Sequence, residues 1–141
     1  MKKYELIDHT ADIGIKAYGK DLKELFANAA VAMFEIIATR SPSHQVTKSS
    51  AKKINIEKEA DKLEDLLVSW LDELLYLFST KNIVFNKFDI KELDEKHIKA
   101  TASGLDSKNY KLKTEIKAVT YHMLETKCKS GYCEASVIFD V

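Results

Sequence analysis

The stretch from Asp61 to Asn82 constrains this chain most, because only one kind of secondary structure can hide its apolar residues together. Leu63, Leu66, Leu67, Trp70, Leu71, Leu74, Leu75 and Phe78 recur every three or four residues, which gathers them on one helical face and would scatter them over both sides of a strand. Asp61 followed by Glu64 has the spacing of a capping box and sets the predicted start, and the end is predicted between Ser79 and Asn82. So wide an apolar face has to be covered, and it predicts the core of a domain rather than a groove for a partner. A chain of 141 residues can bury roughly two-thirds of its unfolded surface around such a core. Residues 1–141 are therefore predicted to form one domain.

The rest of the chain must pack on that helix, and its periodicity says how. A first helix is predicted from Asp21, with Glu24 in the capping-box position and Leu22, Leu25, Phe26, Ala29, Met33, Ile36 and Ile37 on one face. It is predicted to run to about Thr39 and to stop before Ser41-Pro42, since a residue preceding proline avoids the helical region. Residues 3–7 and 13–18 read as short strands, and residues 45–58 alternate well enough for a strand with one wet face carrying or flanking Lys48, Lys52, Lys53 and Lys58. Beyond Asn82 the pattern is strand-like: Ile83–Phe85, Phe88–Leu93 and His97–Ala102, with a turn at Asp94-Glu95-Lys96 and a polar connection at 104–109. An extended segment at 115–125 follows, and Lys129–Tyr132 forms a hairpin turn into a final buried strand at 135–139. This order predicts an α+β fold, a two-layer domain with a mixed, mostly antiparallel sheet and two amphipathic helices packed on one face.

Charge narrows the function classes. Lys and Arg number 22, Asp and Glu 22, so bulk electrostatic gripping of nucleic acid is not expected. No apolar run approaches the ~20 residues of a membrane span, and the N-terminus has no signal-peptide pattern, so the protein is predicted to be cytoplasmic and to have no membrane partner. Cys128 and Cys133 face each other across the Ser130-Gly131 turn. With no further Cys or His pair to complete a zinc site, they are expected to be two unpaired thiols in a reducing compartment.

Chemistry concentrates at two places. Asp8, His9 and Asp12 form a polar island between strand-like segments near the N-terminus, and Asp140 with the Val141 carboxylate follows the last strand. Asp12, Asp140 and Val141 are predicted to meet in one site, because carboxylates tolerate each other only around something positive. Such a site suits calcium, magnesium or manganese, which take oxygen ligands. Lys117, beside apolar Ile116 and Ala118, is ordinarily a solvated lysine, but a cation there can also answer a carboxylate cluster or a phosphate. His122 reads as a packed strand residue, while His44 and His97 have no partner nearby in sequence. There is no phosphate loop, nucleotide fingerprint or nucleophile elbow.

Read together, Asp8–Ile13 with Tyr18-Gly19, Glu24-Leu25-Phe26 with Ala29-Ala30, Leu66–Leu75, Lys117–His122 and the ending Phe139-Asp140-Val141 resemble the archease family over essentially the full length. The resemblance implies a cytoplasmic, non-enzymatic accessory factor of the RtcB-type RNA ligase of tRNA splicing and RNA repair. Such a factor promotes ligase guanylylation and multiple turnover, and widens the nucleotides accepted. RNA would be touched only indirectly. It further implies a metal site at Asp12, Asp140 and Val141, with calcium as the first expectation. Lys117, Asp8 and His9 are expected in partner activation. Two other classes remain consistent with the residues alone: a metal-dependent hydrolase using Asp8, His9, Asp12 and Asp140, and a chaperone-like scaffold indifferent to the carboxylates.

Overall fold

The computed structural model describes residues 2–9, 11–40, 51–122 and 124–141, with Asp8 and His9 described by their backbone alone. The two helices pack against strands of separate antiparallel sheets. Chain order is β1 (Tyr4–His9), β2 (Asp12–Gly19), α1 (Leu22–Ile37), β3 (Ala38–Arg40), β4 (Lys52–Glu59), α2 (Leu63–Lys81), β5 (Ile83–Leu93), β6 (His97–Asp106), β7 (Tyr110–Leu112), β8 (Ala118–Val119), β9 (Glu125–Lys129) and β10 (Tyr132–Asp140). The strands divide into a five-stranded sheet ordered β1-β2-β10-β8 with β9 also on β10, a β4-β6-β5 sheet, and a β3-β7 pair. Every pairing among the described residues is antiparallel, as an α+β fold of this element order requires. No helix among them is long and apolar enough to cross a membrane.

Both helices bury the faces that their periodicity predicted. In α2, Leu66, Leu67, Trp70, Leu71 and Leu74 are completely buried, and in α1 so are Leu25, Phe26, Ala29 and Met33. The Trp70 indole N–H donates to the Phe26 carbonyl at 3.0 Å, which joins the helices and satisfies the one polar atom of that side chain. Phe34 sits at the centre of an aromatic cluster, with ring centroids 6.2, 5.6 and 6.2 Å from Phe78, Phe85 and Phe88.

Several boundaries differ from the sequence expectation. At α1 the capping residue is Asp21, whose carboxylate accepts from the Glu24 N–H at 2.9 Å, while Glu24 reaches back to the Lys20 N–H at 3.1 Å. The helix stops at Ile37 and not near Thr39, because Ala38–Arg40 pair with Leu112–Tyr110 and the Ile37 carbonyl accepts from the Lys113 N–H at 2.7 Å. At α2 the Asp61–Glu64 capping box does not form. The N-cap is Lys62, without a side-chain bond, and Glu64 accepts from the Thr126 hydroxyl at 2.7 Å. The helix ends as predicted, on Asn82 in the left-handed region with φ 56°. Of the strand expected over residues 45–58, residues 45–50 lie outside the described residues, as do His44 and Lys48; β4 begins at Lys52. The Asp94 turn closes as expected, its carboxylate accepting from the Lys96 and His97 N–H groups at 2.8 Å each. The 115–125 segment is strand only at Ala118–Val119 and from Glu125, and His122 is an exposed turn residue, not a packed one.

The cysteines correct a further expectation. Cys128 and Cys133 are directly opposed in the β9–β10 hairpin, their Cα atoms 4.1 Å apart, and are joined in a disulfide. The facing geometry was legible, but the thiols are not unpaired. The bridge spans only five residues of a hairpin already closed at Gly131, so little loop entropy is removed by it.

Two consequences are measurable. Gly104 lies opposite Phe85, where β5 bulges, and a Cβ there would come within 2.1 Å of the Val84 carbonyl oxygen. Gly104→Ala is expected to destabilise by about 1–3 kcal/mol, read as a lower urea midpoint at unchanged m-value. His97, without a partner nearby in sequence, pairs with Glu57 across the sheet at 2.6 Å. Its hydrogen bond to Glu57 raises the imidazole above the ordinary 6.5, and the same bond holds Glu57 below 4.5. The histidine contribution is fully present below pH 6.5 and lost as pH rises through its raised value. That of Glu57 is present above 4.5 and lost as pH falls through its lowered value. An NMR titration should find the His97 midpoint above 6.5, and Glu57→Gln should bring it down.

Candidate functional site

The Asp8–Asp12 island is the turn of the β1–β2 hairpin. His9 is level with Asp12 and Asp8 with Ile13 in its register, and Ala11 takes the left-handed φ of 64° that lets the chain reverse. β10 then lies along the other edge of β2, with Phe139 opposite Ile13 and, across its far edge, Phe139 opposite Val119. Ile13, Phe139 and Val119 thus form the last apolar row of the sheet. Phe139 is fully buried and Val119 6% exposed.

One step further along, the row turns polar. The β2–β10 register continued by one residue puts Asp140 level with Asp12, and Asp140 is opposite Ala118 on β8. Residues directly opposed in an antiparallel pair share a face at Cα separations of roughly 4.5–5.5 Å. Asp12 and Asp140 are therefore neighbours on one face, Asp12 partly buried and Asp140 exposed. Asp12 has further interactions of its own. Lys117 joins the same end through its backbone: its N–H donates to the Asp140 carbonyl at 2.7 Å, which brings it level with Val141. Its side chain is exposed between buried Ile116 and Val119. Thr120 locks the other side of β8, donating both its N–H and its hydroxyl to the Ile138 carbonyl at 3.0 and 2.9 Å.

The sheet register thus brings Asp12 together with Lys117, Asp140 and Val141, each more than 100 residues further along the chain. The side chains of Asp8 and His9 lie outside the described residues. Among the described residues no three His, Cys, Asp or Glu side chains gather to hold a metal. The donor set is two carboxylates plus main-chain oxygen, which fits a hard ion that keeps several waters and does not fit a closed zinc site. A separate cavity of about 380 Å³ lies towards the other end of the hairpin, lined by Tyr4, Phe34, Glu35, Arg40, Tyr110 and Lys113, and holds none of these residues.

Sequence reasoning assigned no role to Asp72 on α2. Its carboxyl is pushed up by partial burial, against the opposing pull of the Val119 N–H and of Lys58. The signal was present as a carboxylate set between Leu71 and Leu74 in the apolar stripe.

Known proteins resemble this chain over its whole length. Residues 4–141 match the model of the Archease protein family (MTH1598/TM1083). The protein archease of Methanosarcina acetivorans is 44% identical, with 99% of this chain and 97% of that protein covered, and that of Methanothermobacter thermautotrophicus is 41% identical with both chains covered completely. Among solved structures, protein 1598 of Methanobacterium thermoautotrophicum superposes with a TM-score of 0.74 at 39% identity over all of both chains. A Thermotoga maritima archease, described as a possible chaperone, superposes with a TM-score of 0.67 at 22% identity over 100% of this chain and 98% of that one, and shows the fold. With the family model spanning all but the first three residues and relatives above 40% identity end to end, this chain belongs to the archease family.

Proposed function

We propose that this protein is an activator of an RtcB-type RNA ligase, promoting its guanylylation and multiple turnover, and that it does not itself join RNA. The observation that carries the reading is the register that seats Asp12 and Asp140 side by side past the last apolar row, with Lys117 bonded to the Asp140 main chain. Two adjacent carboxylates on an exposed strand end contribute nothing to the core and repel each other. Their placement makes sense as a site for something cationic.

In this reading Asp12, Asp140 and the main-chain oxygen of Val141 hold a divalent ion of the oxygen-loving class, calcium first, with magnesium and manganese as the alternatives. Such an ion, when bound, neutralises phosphate oxygens at the rim of the ligase pocket. Guanylylation concentrates charge on those oxygens, so positioning and charge stabilisation dominate its barrier. Lys117 adds a fixed cation on the same strand end. Asp8 and His9, whose backbones end β1 beside this row, complete the surface offered to the ligase. Strands β2 and β10 hold Asp12 and Asp140, so this carboxylate pair arrives at the ligase already placed.

Metal binding can be tested without the ligase. Titration of this chain with Ca²⁺, Mg²⁺ and Mn²⁺ by calorimetry is expected to give one site per chain, lost in Asp12→Ala. Absence of binding by all three ions at millimolar concentration would remove the ion from the account.

A further inference from the structure

A groove beside the carboxylate pair has the composition of a recognition pocket. It measures about 360 Å³ and is lined by Lys58 of β4, by Val68, Ser69, Asp72, Glu73 and Tyr76 of α2, and by Tyr121 just beyond β8. Positions 69, 72, 73 and 76 follow at helical spacing, so α2 turns one coherent polar face into it, opposite the stripe that fills the core. Among the described residues four large apolar or aromatic side chains are well exposed, and two of them, Tyr76 at 61% and Tyr121 at 62%, meet in this one groove. Leaving two tyrosine rings in water forgoes burial that neighbouring residues obtain, which singles out this place on the surface.

The charges in the groove are unequal. Glu73 pairs with Lys58 at 3.0 Å and Lys58 also draws on Asp72, so one cation answers two carboxylates in the groove. Asp72 is exposed where α2 packs on β8, and the nearby Val119 N–H draws on its carboxylate. That packing also fixes where the groove lies. β8 takes β10 on one edge, with Ala118 opposite Asp140, and is packed by α2. The groove and the candidate metal carboxylates therefore flank the same two-residue strand.

We propose that this groove docks a basic side chain, arginine above all, projecting from the protein that this chain activates. The proposal rests on the activator reading. A guanidinium fits each feature present. Its planar fork suits the Asp72 carboxylate, its faces stack on tyrosine rings, and both arginine and tyrosine belong to the residue types that dominate interface energetics. A phosphate backbone does not fit, because the groove carries an excess of negative charge. Docking here would set the orientation in which Asp12 and Asp140 meet the ligase, so the groove supplies affinity while the carboxylates supply activation.

The test separates those two quantities. Ligase guanylylation is measured against increasing concentration of this chain, for wild type, Tyr76→Ala, Tyr76→Phe, Asp72→Asn and Asp140→Ala, with thermal melts confirming that each is folded. Tyr76→Ala and Asp72→Asn are expected to raise the half-maximal concentration roughly tenfold or more while reaching the wild-type plateau. Tyr76→Phe keeps the ring and should stay near wild type, and Asp140→Ala should lower the plateau instead. Wild-type stimulation with unchanged half-maximal concentrations in Tyr76→Ala and Asp72→Asn would overturn the docking proposal alone. So would loss of affinity for an RNA oligonucleotide, in place of the ligase, in those variants. No stimulation by wild type would overturn the activator reading and the proposal together.

Discussion

Asp140→Ala is expected to reduce ligase guanylylation to the level of the ligase alone while leaving the protein folded. The side chain is exposed at the end of β10, and what this position gives the fold is main-chain bonding to Lys117, which alanine retains. Surface substitutions of this kind change stability by no more than about 0.5 kcal/mol, which corresponds to a melting shift of about 2 °C in a chain of this size. Removing one of two opposed carboxylates also relieves their repulsion, so the variant can be slightly more stable than wild type. Loss of stimulation with an unchanged melt separates a chemical role from a structural one. Normal stimulation by Asp140→Ala would show that the carboxylate pair is not what the ligase uses.

Trp70→Ala is expected to have the largest effect on stability of any single truncation in α2. Its ring is fully buried, it packs edge-on against Phe88 at 6.0 Å, and its N–H satisfies the Phe26 carbonyl. Truncation of a buried tryptophan costs about 3–5 kcal/mol through lost burial and the cavity left behind, a large part of the total stability of an ordinary domain. Urea denaturation should show the midpoint falling accordingly. Because α1 and α2 are joined at this point, hydrogen exchange should rise in both helices together. A loss below about 1 kcal/mol would mean that the core can close over the gap, contrary to the packing seen around Phe34 and Phe88.

These two residues also mark what a sequence can and cannot declare. Trp70 was legible because its environment is written locally, by leucines at helical spacing on either side. The same local logic located Asp21 as a cap and Asn82 as a helix end. It failed where a distant partner took over. Ala38–Arg40 continue the α1 pattern but are claimed as a strand by residues 110–112, and Glu64 leaves its own helix end for Thr126, more than 60 positions away. The cysteines were placed opposite each other correctly because a tight turn fixes register, whereas their joining does not follow from spacing.

The candidate site was legible for a different reason. Asp12 and Asp140 each follow or precede a strongly apolar strand, so their polarity stands out at the strand ends. Their meeting was expected from carboxylate chemistry and from the archease resemblance, but the β2–β10 pairing that brings them together is one no local pattern reveals. Asp72 went unnoticed because an acidic pair, Asp72-Glu73, between leucines reads as the solvent edge of a helix. Its significance comes only from Val119 and Tyr121 arriving beside it from the other end of the chain.

The most direct test of the activator account is the number of guanylylation and ligation turnovers per molecule of a purified RtcB-type ligase, with and without this protein, from the same or a closely related source. The ligase alone is expected to stall early, and turnover is expected to be sustained when this protein is added at substoichiometric amounts. Equal turnover in both reactions would contradict it.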